Sequence, residues 1–582
     1  MATSRVTKRP DFVLVVKEKN LPFLEQYFNN LRALGLDFAN EPGQTVDLIF
    51  IKVFISKEAL AHFSELYEIG RGESRVTTVF YTEVIFRHIF PTPLSDMPLD
   101  NSLERTEADN IMIVDKVLQN ARYGSKDTEF GLSNLISMGI VETGYPLHDG
   151  SIEQDGMNIR SKLYRHWSNL RVTHMEQPLD LIFRYFGNEV AFYFAWFDYF
   201  NIMLVLPSIL GALVVLAGLI YVALANPAEV REICETSEVL CPVCEGWPGC
   251  RYKEIQKFCA LAHWSYVFDN NFTIAFAVFM TFWCTLFITL WRRKENTLMM
   301  RWNCENVVEE TQIRQAYLAS TTHQRPNGIT GEMEPYVPKI CIVLKYSVTI
   351  AACTILLAII LLAVIIVMVL KILFTEMCQA SENLYLRSHS RLLTMILGSA
   401  VQVTVIKIFQ LLYRPASIRL TEFENPRTQV DFDNSVLYKK YLLSFMNNYI
   451  PVIYLAFVKG KVTTLPHHMN FLTKDSCQPI NCVVSLCIQL TFIMTVKTFL
   501  GNVFNVVFTK AKLCLRFFSK RYAKRHDRYH PSREDLPQWE KEYYLEPLTR
   551  YFVLSEFSEM GIKYHDIYWV GFLCFPSHTD EI

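Results

Sequence analysis

The feature that most constrains the fold is one long apolar run, ICIVLKYSVTIAACTILLAIILLAVIIVMVLKILF, at residues 340–374. Its centre has no charged residue between Lys345 and Lys371. A helix needs roughly 20 apolar residues to cross the hydrocarbon core of a bilayer, and a buried helix of a soluble protein does not need so long an uninterrupted run. The run therefore predicts a membrane-spanning helix.

Further runs of the same kind predict a polytopic α-helical membrane protein. Half of the 582 residues are hydrophobic (51%), and the formal net charge is only −1, so overall charge indicates no particular partner. Six spans are predicted, and residues 550–575 are a candidate seventh. The six lie at about 191–225, 273–291, 340–374, 392–413, 441–458 and 483–508.

The first 185 residues contain no such run, and the start, MATSRVTKRPDF, has no apolar signal core. We therefore expect a cytosolic N-terminus. Two strongly basic segments, 291–301 and 510–528, then fall on the cytosolic side, as the positive-inside rule requires. The expected location is the plasma membrane, with the endoplasmic reticulum as the alternative.

The N-terminal region alternates strand-like and helix-like segments. Residues 11–17 and 46–55 predict strands, and 20–36 and 56–70 predict helices, the second with Ser56 as its N-cap. This order is typical of a split β-α-β arrangement, so we expect a cytosolic α+β (ferredoxin-like) domain. The predicted layout is a dimerisation or regulatory domain at 1–130, pre-membrane linker and helices at 131–189, the six spans within 190–509, a basic cytosolic segment at 510–549, and a partial seventh helix with a divergent tail at 550–582.

Two residues of the linker, His148 and Asp149, invite a catalytic interpretation. No nucleophile with a defined partner accompanies them, so a role in a turn or cap is favoured over catalysis.

Eight of the fifteen cysteines fall in loops predicted to lie outside the cell or in a lumen. Disulfides are favoured there because the compartment is oxidising and the number is even. The CPVC motif at 241–244 also resembles half of a zinc site, but no matching pair occurs nearby at ligand spacing. A glycosylation sequon begins at Asn271, close to the membrane. The disulfide candidates are Cys234, Cys241, Cys244, Cys250, Cys259, Cys378, Cys477 and Cys482.

Several motifs occur in the order found in one membrane-protein family. YPLHDG (145–150) and then QPLDLIFRYFGNEVAFYFAWFDYF (177–200), leading into a span with Pro207, are similar to the approach to the first span of the anoctamins. CALAHWSYVFDNNFTIAFAVFMTFWCTLFITLWRR (259–293), an outer cysteine-rich loop followed by a span with a basic end, also resembles anoctamins. The resemblance runs from about residue 130 to about residue 563.

This resemblance implies a homodimer of ten-helix subunits, each with a membrane-facing groove formed largely by the third to seventh helices. It implies a calcium-activated chloride (anion) channel, a phospholipid scramblase, or both. The implied cofactor is Ca²⁺, held by the sixth, seventh and eighth helices. The implied partners are membrane lipids, chloride or other anions, and a second identical or related chain, but not nucleic acid.

Two glutamates, Glu556 and Glu559, lie three residues apart in the apolar segment FVLSEFSEMGIKY (552–564). At this spacing they share one helix face and can reach one cation, and Ca²⁺ takes about six to eight oxygen ligands. A carboxylate in a membrane helix is costly unless it has a partner or faces a cavity. SEFSEM resembles the anoctamin seventh-helix motif, whose two glutamates bind calcium. The alternative is a cytosolic amphipathic helix with its carboxylates in water.

The sixth span is the second source of ligands. The resemblance matches Lys497 and Asn502 to a lysine and an asparagine of the family's sixth-helix pattern. The acidic ligand that follows in the family is replaced here by Asn505, or by Val506 if the register shifts by one. An amide oxygen brings no charge, so we expect weaker calcium binding. The alternative is that the two amides make polar contacts between helices.

Two lysines lie inside predicted spans, Lys407 and Lys497. Each is a candidate for a pore or groove that attracts anions or lipid headgroups, because a lysine exposed to lipid is costly. For Lys407 the alternative is that the side chain snorkels to the interface.

The sequence departs from the family pattern after GIKY (561–564), where it continues HDIYWVGFLCFPSHTDEI and stops. We therefore expect a chain truncated within or just after the seventh helix, with an incomplete calcium site. The predicted function is anoctamin-type transport. The alternative is a non-conducting subunit that dimerises with a full-length relative and modulates it, or a membrane tether. No motif indicates an enzyme.

Overall fold

The computed structural model describes residues 9–66, 107–240, 253–302, 313–459, 483–515, 536–545 and 556–564, apart from shorter gaps within these ranges. The chain divides into two compact units. The first comprises residues 1–199, 292–321 and 505–553, and the second comprises residues 200–291, 322–504 and 554–582.

The first unit is built around an antiparallel four-stranded sheet with strand order β2-β3-β1-β4. The strands are β1 (Phe12–Val16), β2 (Leu36–Pro42), β3 (Ile49–Ile55) and β4 (Val141–Pro146). All five residues of β1 are buried, because this central strand is covered on both faces. Strand β4 lies beyond residue 130, so the sheet extends past the predicted end of the α+β domain.

One face of the sheet packs against three helices, α1 (Glu25–Ala33), α2 (Lys57–Leu66) and α3 (Glu107–Asn120). The predicted N-cap of α2 is present, since the Ala59 N–H donates to Ser56 Oγ at 3.1 Å. Further short helices in this unit cover Glu18–Leu24, Leu132–Ser137, Ile159–His166, Leu179–Phe186, Gln315–Ser320 and Gln538–Tyr543.

The opposite face of the sheet packs against the helix Gln538–Tyr543, called the linker helix below. Val13 and Val15 alternate with the residues that face α1 to α3, so they point to this second face. They form one apolar cluster with Phe50, Trp539 and Tyr543. The predicted basic segment 510–549 therefore includes a helix that belongs to the core of the first unit.

Among the described residues, five helices are long and apolar enough to cross a membrane. These first to fifth spanning helices are Asn188–Ala225, Ile255–Arg301, Lys339–Cys378, Leu393–Glu424 and Gln429–Val458, and they coincide with the first five predicted spans. The chain is therefore a polytopic membrane protein. For the sixth span, the structure describes a shorter apolar helix, Ser485–Val496, and only some of residues 497–508.

The spanning helices are longer than their apolar runs. The fifth begins at Gln429 rather than 441, and the fourth continues to Glu424 rather than 413. Hydropathy detects only the part of a helix that meets lipid, whereas the hydrogen-bonded backbone continues into polar sequence. Shorter elements lie at Ala228–Glu235, Val239–Leu240, Lys253–Glu254, Cys259–Phe268, His323–Pro326 and Met333–Tyr336.

Candidate functional site

The glutamate pair lies on a helix that covers residues 556–564, called the glutamate helix below. Glu556 and Glu559 are both half-buried. Ser558 and Ile562 on the same helix are only 2% and 1% exposed. The helix therefore packs against the rest of the protein through the face that carries Ser558 and Ile562.

The fifth spanning helix holds the glutamate helix in place. Tyr449 Oη donates a hydrogen bond to the carbonyl oxygen of Ile562 at 3.0 Å, and Tyr449 is buried. Gly561 lies so close to Tyr441 that an added Cβ would be 2.9 Å from its ring. The ring of Tyr564 stacks on Phe287 of the second spanning helix, with centroids 6.0 Å apart. These contacts fix the face on which the two carboxylates lie.

A lysine of the fifth spanning helix lies near both carboxylates. Lys440 is 8% exposed and interacts electrostatically with Glu559 and, more weakly, with Glu556. Arg414 of the fourth spanning helix is a like charge that acts on the same lysine. A buried lysine needs carboxylate partners of this kind, because its charge is costly in an apolar setting.

Lys440 was not among the residues expected from the sequence, because the fifth span was predicted to begin at residue 441. A usable signal was nevertheless present. Lys440 continues the stripe of buried positions Phe432, Val436, Leu443 and Asn447, at helical spacings of three and four. A cation within such a stripe indicates a buried partner.

Two buried hydroxyls of these helices have no hydrogen-bond partner within the part of the chain that the structure describes. They are Ser558 Oγ, between the two glutamates in sequence, and Ser444 Oγ, one helical turn from Lys440. Buried polar atoms are almost always satisfied in folded proteins. A water molecule or a hydrated ion at this site would satisfy them.

The sequence-predicted residues of the sixth span, Lys497, Asn502 and Asn505, lie outside the described residues. Gly501 is described, and it lies next to Lys407 of the fourth spanning helix. A Cβ added to Gly501 would be 2.9 Å from Lys407 Nζ. Lys407 is half-buried, so its ammonium group lies against the backbone of the sixth span.

The fourth, fifth and sixth spans share an apolar cluster that includes Ile406, Val452 and Ile493. Buried amides interrupt this packing. Gln402 and Gln489 are 2% and 1% exposed, and amide atoms of both have no partner among the described residues. Polar groups that are buried in this way in spanning helices mark candidate pathways for water, ions or headgroups.

The structure describes three of the eight disulfide candidates. Cys234 and Cys259 form a disulfide, and His263 Nδ1 lies 2.8 Å from the Cys259 carbonyl oxygen. Because the two sulfurs are bonded to each other, this cluster does not fit an open metal site. Cys378 is in the last turn of the third spanning helix and forms no disulfide within the described residues, a correction to its expected place in a loop. Cys241, Cys244, Cys250, Cys477 and Cys482 lie outside the described residues.

The predicted glycosylation site, Asn271, is exposed at the first residue of the helix Asn271–Arg301. Its glycosylation stays a prediction.

A second cluster of polar groups surrounds the linker helix in the first unit. The His148 N–H donates to Glu542 Oε2 at 2.9 Å, and Gln538 Nε2 donates to the His148 carbonyl oxygen at 2.9 Å. Arg160 pairs with Glu542 at 3.3 Å. The Gln44 N–H donates to Glu540 Oε2 at 2.9 Å. Both glutamates of the linker helix therefore accept hydrogen bonds from fixed donors.

The environment of His148 favours its neutral form. Burial, with Arg160 and Arg9 nearby, lowers the pKa of His148 to about 4. Its Nδ1 shares a 2.6 Å hydrogen bond with Tyr185 Oη. Burial also raises the pKa of Glu542. These groups are engaged in packing, as the favoured turn or cap interpretation of His148 and Asp149 expected, and Asp149 accepts the Ile159 N–H at 3.1 Å.

Comparison with known proteins identifies the family. A family model described as "Anoctamin: Calcium-activated chloride channel" matches residues 182–568, and one described as "Anoctamin, dimerisation domain" matches residues 99–179. The chain belongs to the anoctamin family.

Several curated anoctamins are similar to this chain over most of its length. Anoctamin-4 of Bos taurus is 26% identical over 613 residues, which cover 96% of this chain and 66% of the relative. Anoctamin-3 of Homo sapiens is 27% identical over 614 residues, covering 96% and 61%. Anoctamin-7 of Mus musculus is 29% identical over 466 residues, covering 78% and 53%. The chain thus spans about half to two-thirds of the length of these relatives.

The anoctamin match includes both candidate regions of the membrane unit. Lys407, Lys440 and the whole glutamate helix lie within residues 182–568. The segment matched to the anoctamin dimerisation domain contains α3 and β4 of the first unit.

Proposed function

We propose that this anoctamin is a calcium-regulated transport protein, conducting chloride or other anions, moving phospholipids between leaflets, or both. The observation that carries the proposal is the packing of Glu556 and Glu559 against the fifth spanning helix, within the stretch matched by the chloride-channel family model. Two carboxylates on one packed helix face can both reach one cation, and acidic side chains in a membrane unit need such a partner.

The proposed calcium site combines Glu556 and Glu559 with the sixth-span amides Asn502 and Asn505. The glutamates supply charge, and the amides supply neutral oxygens. Calcium binding would draw the sixth span and the glutamate helix together. Because the sixth span also borders the proposed pathway, its movement would change that pathway.

The proposed pathway is a membrane-facing groove formed by the third to sixth spans. Lys407, which lies against Gly501, supports it, as do the buried amides of Gln402 and Gln489. Lys407 and Lys497 would attract chloride or lipid phosphates, and the amides would replace part of the hydration of a passing group.

The first unit is proposed to be cytosolic and to take part in dimer formation. Its antiparallel sheet order β2-β3-β1-β4 supports a ferredoxin-like class, and the dimerisation-domain match at 99–179 supports a dimer. The plasma membrane is the proposed location.

The test reconstitutes the full chain in liposomes and measures calcium-evoked anion flux and fluorescent-lipid flip in the same preparation. We expect calcium to evoke at least one of the two signals. Glu556→Gln with Glu559→Gln should remove the calcium response, whereas Glu254→Gln, in an exposed ion pair, should retain it. Equal calcium responses in the double variant and the wild type would contradict the proposed site.

The dimerisation-domain match also supports a second candidate, a subunit that modulates a longer relative. Under this alternative the chain alone gives neither signal, but its co-reconstitution with anoctamin-4 changes the calcium response of that protein. A tether would give neither result.

A further inference from the structure

A buried lysine supplies a positive charge next to the two glutamates of the proposed calcium site. Lys440 is almost completely buried, and Glu559 and Glu556 are the carboxylates that act on it. The glutamate helix cannot simply move away from this lysine, because Tyr449 and Tyr441 of the same spanning helix contact its Ile562 and Gly561. The lysine and the two carboxylates are thus held on facing helices.

The neighbouring cations do not replace Lys440 in this role. Lys439, the preceding residue, is directed to a different carboxylate, since its Nζ donates to Glu424 Oε2 at 2.7 Å and also to Thr421 and Ser435. Arg414 is a like charge to Lys440 and so disfavours the addition of another cation nearby. The fifth spanning helix therefore directs one lysine to the fourth helix and the next to the glutamates.

We infer that Lys440 is a tethered cation that occupies the electrostatic position of calcium at Glu556 and Glu559, so that calcium must compete with it to bind. The inference rests on the proposed calcium site and adds its regulation. An ammonium group compensates the two carboxylates in the absence of calcium. When a divalent ion enters, it meets both the carboxylates and the repulsion of the lysine charge.

A tethered cation has two consequences that an ordinary structural lysine does not have. First, calcium affinity is lower than the carboxylates alone would provide, and it rises when the lysine charge is removed. Second, the calcium-free protein is stabilised by the lysine, so that removal of its charge makes the fold more dependent on calcium.

The experiment measures binding of Ca²⁺ alone to the purified full chain in detergent at pH 7.4, by equilibrium dialysis. Lys440→Met should bind calcium about tenfold or more tightly than the wild type. Lys440→Arg, which keeps the charge, should bind nearly as weakly as the wild type. Lys371→Met, which removes a lysine of the third spanning helix that lies against Gly398, is the matched control and should change nothing. Adding Glu556→Gln and Glu559→Gln to Lys440→Met should abolish the gain.

Thermal unfolding supplies a second readout if Lys440→Met folds poorly. Lys440→Gln keeps a polar side chain and should show a larger calcium-induced rise in melting temperature than the wild type, because at one calcium concentration a tighter-binding ligand stabilises the folded state more. Equal calcium affinity and equal thermal response in the wild type, Lys440→Met and Lys440→Gln would overturn the inference, as would absence of calcium binding to all three.

The outcomes separate the inference from the proposed function. Tighter calcium binding by Lys440→Met without calcium-evoked transport by either protein supports the inference and contradicts the transport function. Calcium-evoked transport with the same calcium dependence in both proteins supports the function and overturns the inference.

Discussion

Two short helices of this protein bring glutamates into the protein interior, and they do so in different ways. In the linker helix, Glu540 and Glu542 accept hydrogen bonds from the backbone N–H groups of Gln44 and His148. These donors are fixed because they belong to the main chain. In the glutamate helix, Glu556 and Glu559 share a lysine that extends from a neighbouring helix. Carboxylates that accept from fixed backbone donors are structural, whereas we infer that carboxylates balanced by a lysine side chain can exchange that charge for an ion.

The largest expected effect comes from Glu542→Ala. This change removes the carboxylate partner of Arg160 and leaves the His148 N–H without its acceptor, and loss of one partner from a buried ion pair costs about 3 kcal/mol or more. Amide hydrogen exchange of the linker helix should become about 100-fold faster. The matched change in the other helix, Glu559→Gln in calcium-free buffer, should leave exchange of the glutamate helix almost unchanged. Similar effects in the two helices would contradict the distinction.

The next largest loss of stability is expected from a change on the apolar side of the linker helix. Trp539 packs in the sheet-face cluster, and Lys52 Nζ lies 3.3 Å from the centroid of its ring. Trp539→Ala should lower the free energy of unfolding by about 2 kcal/mol. This loss is smaller than that expected for a fully buried tryptophan because Trp539 is half-buried. Hydrogen exchange of β1 and of the linker helix is the measurement, and Trp539→Phe should recover most of the loss. An unchanged exchange rate in Trp539→Ala would show that the linker helix does not depend on the sheet.

A pH dependence should distinguish the two regions as well. The pKa of His148 is lowered to about 4 in the folded protein from an ordinary value of 6.5, so the unfolded chain binds more protons between these values. The neutral His148 therefore contributes its full stabilisation of the fold above pH 6.5, and this contribution is lost as pH falls toward 4. The raised pKa of Glu542 acts in the opposite sense above 4.5, which makes a comparison of variants necessary.

His148→Asn isolates the histidine contribution. The drop in melting temperature between pH 7 and pH 5 should be smaller in His148→Asn than in the wild type, because asparagine does not titrate. An equal drop in both proteins would assign the pH dependence to other groups. Lys440 lies in the other unit, so His148→Asn should leave calcium binding unchanged at pH 7.

The smallest effect is expected where the glutamate helix contacts the fifth spanning helix. Tyr449→Phe removes one buried hydrogen bond, to Ile562, which is worth about 1 kcal/mol. If this contact positions the two glutamates, the calcium concentration for half-maximal response should rise about fivefold. Tyr438→Phe, at an exposed position of the same spanning helix, is the control and should behave as the wild type. A normal calcium response in Tyr449→Phe would show that other contacts position the site.

The sequence predicted the spanning helices and the shared helix face of the two glutamates because both depend only on neighbouring residues. An apolar run reports burial in lipid directly, and a three-residue spacing reports a shared helix face directly. Lys440 was missed because it lies one residue before the predicted start of its span. Hydropathy therefore assigned it to the polar segment that precedes the span. The helix in fact begins at Gln429, eleven residues earlier than Lys440.

Nonlocal packing explains the other differences. The linker-helix sequence QWEKEY is polar and carries no local signal that Trp539 and Tyr543 cover a sheet formed mainly by residues 12–55. Strand β2 alternates exposed and half-buried residues at the edge of its sheet, so it resembles a loop in the sequence. Tertiary contacts determine such elements more than local preference does.

The most direct test of the account measures amide hydrogen exchange of the full chain with and without calcium, and compares the two helices in one experiment. We predict that calcium slows exchange in the glutamate helix, residues 556–564, and leaves the linker helix, Gln538–Tyr543, unchanged. Unchanged exchange in the glutamate helix, or equal protection of both helices by calcium, would contradict the claim that Glu556 and Glu559, unlike Glu540 and Glu542, belong to an exchangeable ion site.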